Sequence, residues 1–254
     1  MIKVGIIGCG FVGGALKAWL EENNKDAEVY VSDPPKGYND DLSEIDIAFL
    51  QIHVPTEDDG TQDLTLMKEL IRKLPNVPVF VRTTILPGTS DLLSKETGHQ
   101  VCYMPEFLTE RTHIEDFKKQ TMVFTGPLEL LVKVFPGKKF AVMSPLEAEI
   151  TKYAHNVFGA YKVTYFNAVK EYCEKMGRTG RKFTRGVFFR ATSTRCTRSC
   201  RDPTVSAAMA GSAFRRTSMP LRSLRRASRL ASCSRRFMSS TFISAASKNI
   251  SEAV

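Results

Sequence analysis

No cysteine pair in this chain has metal-ligand spacing: Cys9, Cys102, Cys173, Cys196, Cys200 and Cys233 are scattered, and the one close pair is C-x-x-x-C at 196 and 200. A structural zinc module is therefore excluded, and reduced thiols in a cytoplasmic setting are expected. The four histidines, His53, His99, His113 and His155, lack mutual spacing for a metal and read as loop or helix-surface residues. There is no apolar run of 18 residues, so no membrane-spanning helix is expected. No charged n-region with an apolar h-region precedes the first strand, which argues against secretion.

Acid is scarce in only one part of the chain. Residues 1–177 hold 19 Lys+Arg against 25 Asp+Glu, a net of −6, whereas 178–254 hold 17 against 2, a net of +15. The overall +9 averages two unlike segments. A length of 254 residues is enough for one or two domains at roughly 150 residues each, with a sizeable core.

What is present before Gly177 is a βαβ grammar. Apolar runs bounded by turn residues predict strands at Lys3–Ile7, Glu28–Ser32, Asp46–Ile52 and Pro78–Thr83, and helical periodicity predicts helices at Phe11–Glu22 and Leu64–Leu74. Further strands are expected at Val101–Met104, Met122–Thr125 and Phe140–Met143, with a helix at Leu128–Phe135. The fold class is α/β, a Rossmann-like doubly wound parallel sheet over 1–143. A single helical pattern from Pro145 to Met176 would then span about 48 Å and connect or dimerise. The chain thus divides into 1–143, a long helix in 144–177, and an Arg/Ser-rich tail in 178–254.

"GIIGCGFVGG" places Gly8, Gly10 and Gly13 as G-x-G-x-x-G between a predicted strand and helix, and Asp33 ends the next strand twenty residues after Gly13. Gly8 permits a tight turn, Gly10 allows a pyrophosphate to approach the backbone, and Gly13 allows close helix packing. The helix N-terminus, entered through Phe11 and Val12, faces the anion. Asp33 would accept from ribose hydroxyls and repel a 2′-phosphate, which favours NAD over NADP. The alternatives are another adenosyl ligand or an ordinary glycine-rich turn. Cys9, inside the loop, reads as a small filler.

"HVPTEDDGTQD", "RTTILPGTSD" and "YMPEFLTERTHIEDF" each follow a strand and so fall at the carboxyl edge of the sheet, where such sheets bind ligands. "EAEITKYAHNVFGAYKVTYFNAV" sets Lys152 and Asn156 four apart on one helical face. Taken singly, these residues have plainer readings: Glu106 and Glu110 as solvated loop carboxylates, Lys152 as the partner of Glu149, Thr83 as structural beside Thr84. In this order, over residues 1–177, the five motifs resemble the UDP-glucose/GDP-mannose 6-dehydrogenase family, with the closest likeness to the UDP-glucose branch.

The resemblance implies two successive oxidations at C6 of a nucleotide sugar, UDP-glucose or a relative, with NAD as acceptor and a cysteine-bound thiohemiacetal and thioester between them. It implies that Gly8, Gly10, Phe11, Val12, Gly13 and Asp33 bind NAD, that Thr56 and Thr84 line the nicotinamide side, and that Glu110 sits between cofactor and sugar. It further implies Glu106 as the base for thioester hydrolysis, backbone contacts from Phe107 and Leu108 to the sugar, and Lys152 with Asn156 stabilising the oxyanion. A homodimer through the long helix is implied as well. Glu57 stands where the family often has proline after "VPT".

The family also requires a segment resembling "GYGGKCFPKD", with the catalytic cysteine, after the long helix. The chain lacks it as written. "AMAGSAFRRTSMP", Ala208 to Pro220, can nevertheless be encoded so that reading from the third base of its first codon gives YGGKCFPKDVNA. The same offset turns "RATSTRC" into GYINAVH and the "RTG" after Gly177 into ADW. A single-base deletion at the Gly177 codon, with 178–254 translated out of frame, would account for the tail's 15 Arg, 14 Ser and 8 Thr, and for its lack of periodic aliphatics. The chain would then be truncated and inactive. The alternative function is an NAD-binding scaffold with a basic nucleic-acid-binding arm, for which charge alone speaks; on the family reading no nucleic acid or membrane is a partner.

Overall fold

The computed structural model describes residues 1–109 and 111–178; Glu110 and the Arg/Ser-rich tail from residue 179 on lie outside the described residues. The described residues fall into two units, 1–155 and 156–178.

In the first unit β1 (Ile2–Ile7), β2 (Ala27–Asp33), β3 (Tyr38–Asn39), β4 (Ile47–Leu50), β5 (Val79–Val81) and β6 (Val101–Tyr103) form one sheet in the order β3-β2-β1-β4-β5-β6. The central strands are buried on both faces, which is why they read as continuous apolar runs rather than alternating ones. β7 (Met122–Phe124) and β8 (Phe140–Val142) pair in parallel, and Thr125 N–H donates to Tyr103 C=O at 2.9 Å to link them to β6.

Helices cover both faces. On one side α1 (Phe11–Asn23), α4 (His113–Lys119) and α5 (Leu128–Val134) bury Leu16, Trp19, Phe117, Leu131 and Val134 against Val4, Ile6, Phe49 and Phe80. On the other, α2 (Thr65–Arg72), α3 (Thr89–Thr97) and the start of α6 (Pro145–Lys175) bury Met67, Ile71, Leu93 and Ala148 against Leu50, Val79 and Val81. This is the doubly wound α/β arrangement that the periodicity predicts.

Three elements differ from the sequence reading. β3 runs antiparallel to β2, so the sheet is not wholly parallel; a Pro34–Lys36 3-10 turn and Gly37 at φ 82° reverse the chain into it. Helices α3 and α4 are additional, since Thr89–Thr97 carries only two adjacent leucines and α4 is under two turns long, too little for a helical period to register. Strands also stop earlier than expected: Gln51 N–H donates to Ile7 C=O and Arg82 N–H to Leu50 C=O, and the ladder ends there because the chain turns out into ligand-edge loops.

In the second unit the described residues continue α6, with Phe158, Tyr161, Val163 and Tyr165 exposed. Among the described residues no helix is long and apolar enough to cross a membrane.

Candidate functional site

The glycine loop joins β1 to α1. Gly8 has φ 87°, and a Cβ there would lie 2.5 Å from the carbonyl oxygen of Gln51; a Cβ at Gly13 would lie 2.1 Å from that of Gly8. Both positions admit no side chain, for the two reasons the sequence suggests. Gly10 is different: a Cβ would meet only the Lys36 ammonium at 3.8 Å. Backbone packing therefore does not require this glycine, and the space beside it is left for something other than the chain. The first turn of α1 has no side-chain cap and no acidic residue, so its N–H groups and positive dipole end are available to an anion.

Asp33 ends β2 beside this loop. Its Oδ2 accepts the Cys9 N–H at 2.7 Å, fixing the loop, and lies 3.7 Å from Lys36 Nζ. Lys36 also donates to the Cys9 carbonyl at 2.8 Å. Lys36 escaped the sequence reading because its relation to the loop is made by the 3-10 turn. Burial pushes the Cys9 thiol above its ordinary value despite Lys36 nearby, consistent with a filler rather than a nucleophile. Phe11 is exposed, its ring edge-on to His113 at 6.1 Å, and Val12 is half-buried.

Across the switch point, the segment after β4 folds back on itself. Glu57 N–H donates to Thr61 C=O at 2.8 Å and Asp63 N–H to Pro55 C=O at 3.0 Å, so Thr56 and Gln62 face each other as an antiparallel bridge. Thr56 is exposed on this hairpin and Thr84 half-buried on the loop after β5. Thr83 donates its hydroxyl to Ile52 C=O at 2.8 Å, a structural tie between the two loops.

Glu106 and Lys152 meet from elements 46 residues apart. Lys152 Nζ lies 3.0 Å from Glu106 Oε1 and also donates to the Glu106 carbonyl; Oε2 accepts the Leu108 N–H at 2.8 Å. The side chains are 5% and 12% exposed, which takes Glu106 out of the class of solvated loop carboxylates. Phe107 lies beneath the ammonium, 5.4 Å from it, with its ring edge-on to His155 at 4.9 Å. Glu149 is not the partner of Lys152. It accepts from Gly88 N–H at 2.6 Å, Ser90 N–H at 2.8 Å and Ser90 Oγ at 2.6 Å, so the fully buried carboxylate caps the N-terminus of α3. Asn156 lies one turn after Lys152 on α6, exposed, and belongs to the second unit. Among the described residues no group of three or more His, Cys, Asp or Glu could hold a metal.

Known proteins resemble this chain at two levels. The model of the UDP-glucose/GDP-mannose dehydrogenase family, central domain, matches residues 146–228. A UDP-glucose 6-dehydrogenase of Rickettsia felis is 28% identical over 170 residues, covering 59% of this chain and 38% of the relative. One from Rhizobium meliloti is 30% identical over 168 residues, covering 56% and 38%. The chain thus spans about two-fifths of the length of these relatives. A UDP-glucose dehydrogenase from Pyrobaculum islandicum superposes with a TM-score of 0.64 at 23% identity, over 77% of this chain and 57% of that one, which shows a shared fold. The glycine loop heads the sheet and the family match covers residues 146–228, so the chain is similar to UDP-glucose/GDP-mannose dehydrogenases in both stretches.

Proposed function

We infer that residues 1–177 are the dinucleotide-binding part, with a portion of the substrate site, of an NAD-dependent dehydrogenase acting at C6 of a UDP-sugar, UDP-glucose or a near relative. The observation that carries this is the loop at Gly10, where packing closes Gly8 and Gly13 but leaves the middle glycine open beside an uncapped helix N-terminus. Bound NAD would supply the hydride acceptor. The chain's residues would do the rest: Gly8, Gly10, Phe11, Val12 and Gly13 admit the diphosphate, Asp33 takes the ribose hydroxyls, Thr56 and Thr84 line the nicotinamide side, and Glu110 sits between cofactor and sugar. Glu106 would take a proton from the hydrolytic water, while Phe107 and Leu108 hold the sugar through their backbone. Lys152 and Asn156 would donate to an oxygen gaining negative charge. Since Lys152 already spends its ammonium on Glu106, substrate would have to compete for it or share it.

The chain as written lacks the catalytic thiol segment, and Cys196, Cys200 and Cys233 have no counterpart in the family pattern to replace it. We therefore infer NAD binding without turnover. Titration with NAD followed by an NADH-absorbance assay with UDP-glucose tests both parts: no dinucleotide binding sinks the cofactor assignment, and NADH production sinks the claim of inactivity.

For residues 178–254 the readings divide. The hidden YGGKCFPKD segment favours an out-of-frame tail, whereas the family match, which continues past Gly177 to residue 228, favours a diverged central domain in the frame as written. Sequencing the gene through the Gly177 codon decides between them; a shifted frame without codons for that cysteine and aspartate rules out the deletion. A polyanion-binding role for the basic arm rests on its net charge alone. The exposed aromatic residues of α6 support a dimer of two such helices, checked by sedimentation.

A further inference from the structure

Gln62 engages both loops proposed to line the nicotinamide, with its backbone in one and its side chain on the other. Its backbone bridges to Thr56 within the hairpin after β4. Its carboxamide reaches across to the loop after β5, where Nε2 donates to the Thr84 carbonyl at 3.1 Å and Oε1 accepts the Leu86 N–H at 2.9 Å. One donor and one acceptor on residues 84 and 86 reproduce, with a side chain, the exchange that a neighbouring strand would make. Thr83 and Ile52 join the same two loops at their base. Gln62 joins them further out, past the last ladder bond, at the level of Thr56 and Thr84.

We propose that Gln62 is a positioning residue for the nicotinamide end of the dinucleotide, setting the separation of Thr56 and Thr84 by clamping one loop to the other. The proposal rests on the reading that these two threonines line that end. The nearest replacements each lose a bond. Glutamate keeps the acceptor for Leu86 but turns a lone pair toward the Thr84 carbonyl; methionine fills the space and makes neither bond; asparagine is one methylene short of both. The adenosine end is held elsewhere, by the β1–α1 loop and Asp33, so loosening the clamp should be felt at one end of the ligand only. That asymmetry separates positioning from general support.

The test is calorimetric titration of the full chain, as wild type, Gln62→Met and Gln62→Glu, with NAD and with ADP-ribose, which has the same adenosine diphosphoribose but no nicotinamide. Thermal unfolding of each variant identifies the folded ones, and having two variants protects against one failing to fold. The expected result is NAD affinity lowered about tenfold in both variants, of the order that losing two net hydrogen bonds allows, with ADP-ribose affinity changed less than twofold. Equal losses for both ligands would overturn the proposal and leave Gln62 a structural tie. An unchanged NAD affinity would overturn it as well. If wild type binds ADP-ribose and NAD with equal strength, the threonines do not hold the nicotinamide and the proposal falls with them; if wild type binds neither, the cofactor reading itself is what failed.

Discussion

Lys152 and Glu106 stand 3.0 Å apart with both side chains nearly buried, and the Leu108 N–H completes the carboxylate. A pair so placed is costly to halve, because the partner left behind keeps its charge without water. Lys152→Met should therefore destabilise the fold by about 3 kcal/mol, while Lys152→Met combined with Glu106→Gln should recover most of that. Urea unfolding of the wild type and the two variants checks it; equal losses for the single and double variants would mean the pair is not coupled.

Arg82 presents the opposite case. Its guanidinium is buried beneath the Phe117 ring, 5.2 Å from the centroid, and neither Nε nor the two Nη atoms has an acceptor among the described residues. Burial pushes its pKa down to about 10, with Glu106 pulling weakly the other way. A cation whose pKa falls on folding weakens the fold at neutral pH, and the cost is relieved only as pH rises above about 10. Arg82→Met should thus raise the urea midpoint, by about 1–3 kcal/mol in stability at pH 7. A lowered midpoint would show that the guanidinium has a partner in solution.

Burial also holds the Glu149 carboxyl above the ordinary glutamate range, against hydrogen bonds from Ser90 and Gly88 that pull it down. A carboxyl with a raised folded pKa binds its proton more tightly in the fold than in the unfolded chain. Stability is then greatest below the ordinary glutamate value and falls as pH rises through the window up to the raised one. Glu149→Gln should flatten that slope in denaturation curves collected across the window. Glu149→Ala should cost about 1–3 kcal/mol, because it strands the Gly88 and Ser90 N–H groups.

The three loop glycines should respond differently to alanine. Gly13→Ala drives a Cβ into the Gly8 carbonyl and should unfold the domain or cost more than about 3 kcal/mol. Gly10→Ala makes only an ordinary contact with the Lys36 ammonium at 3.8 Å, so it should leave stability within about 1 kcal/mol while abolishing NAD binding in calorimetry. Retained NAD affinity in Gly10→Ala would put the diphosphate somewhere else.

Asp33 and Lys36 together suggest a change of cofactor. With Asp33→Ser the repulsion toward a 2′-phosphate is removed and the Lys36 ammonium, 3.7 Å from the present carboxylate, is released. The ratio of NADP to NAD affinity should rise by at least about tenfold, a single charge-assisted contact's worth. Lys36→Ala in the Asp33→Ser background should reverse the gain.

The central strands β1, β4, β5 and β6 were legible because each is buried on both faces, and the helices α1 and α2 because each buries one apolar face of two turns or more. The glycine loop was legible because steric exclusion at Gly8 and Gly13 is a local property of the chain. Lys152 was ambiguous: helical spacing offered Glu149, three residues away, and only the tertiary fold brings Glu106 to it. Helix α3 was hidden for a related reason, since its capping carboxylate comes from Glu149, 59 residues beyond Ser90. Gln62 carries no signal in a single sequence, because an amide in a polar turn is commonplace until the loop across from it is known.

The cap on α3 also bears on the order in which the chain can become native. The eight strands of the described residues have been made by Val142, yet the carboxylate that closes α3 and the ammonium that pairs with Glu106 come from positions 149 and 152. A nascent chain halted at Met143 would hold these eight strands with one helix end open and one carboxylate bare. A fragment that ends past Lys152 keeps both contacts, so native stability of the sheet depends on the first two turns of α6 as well as on the last strand.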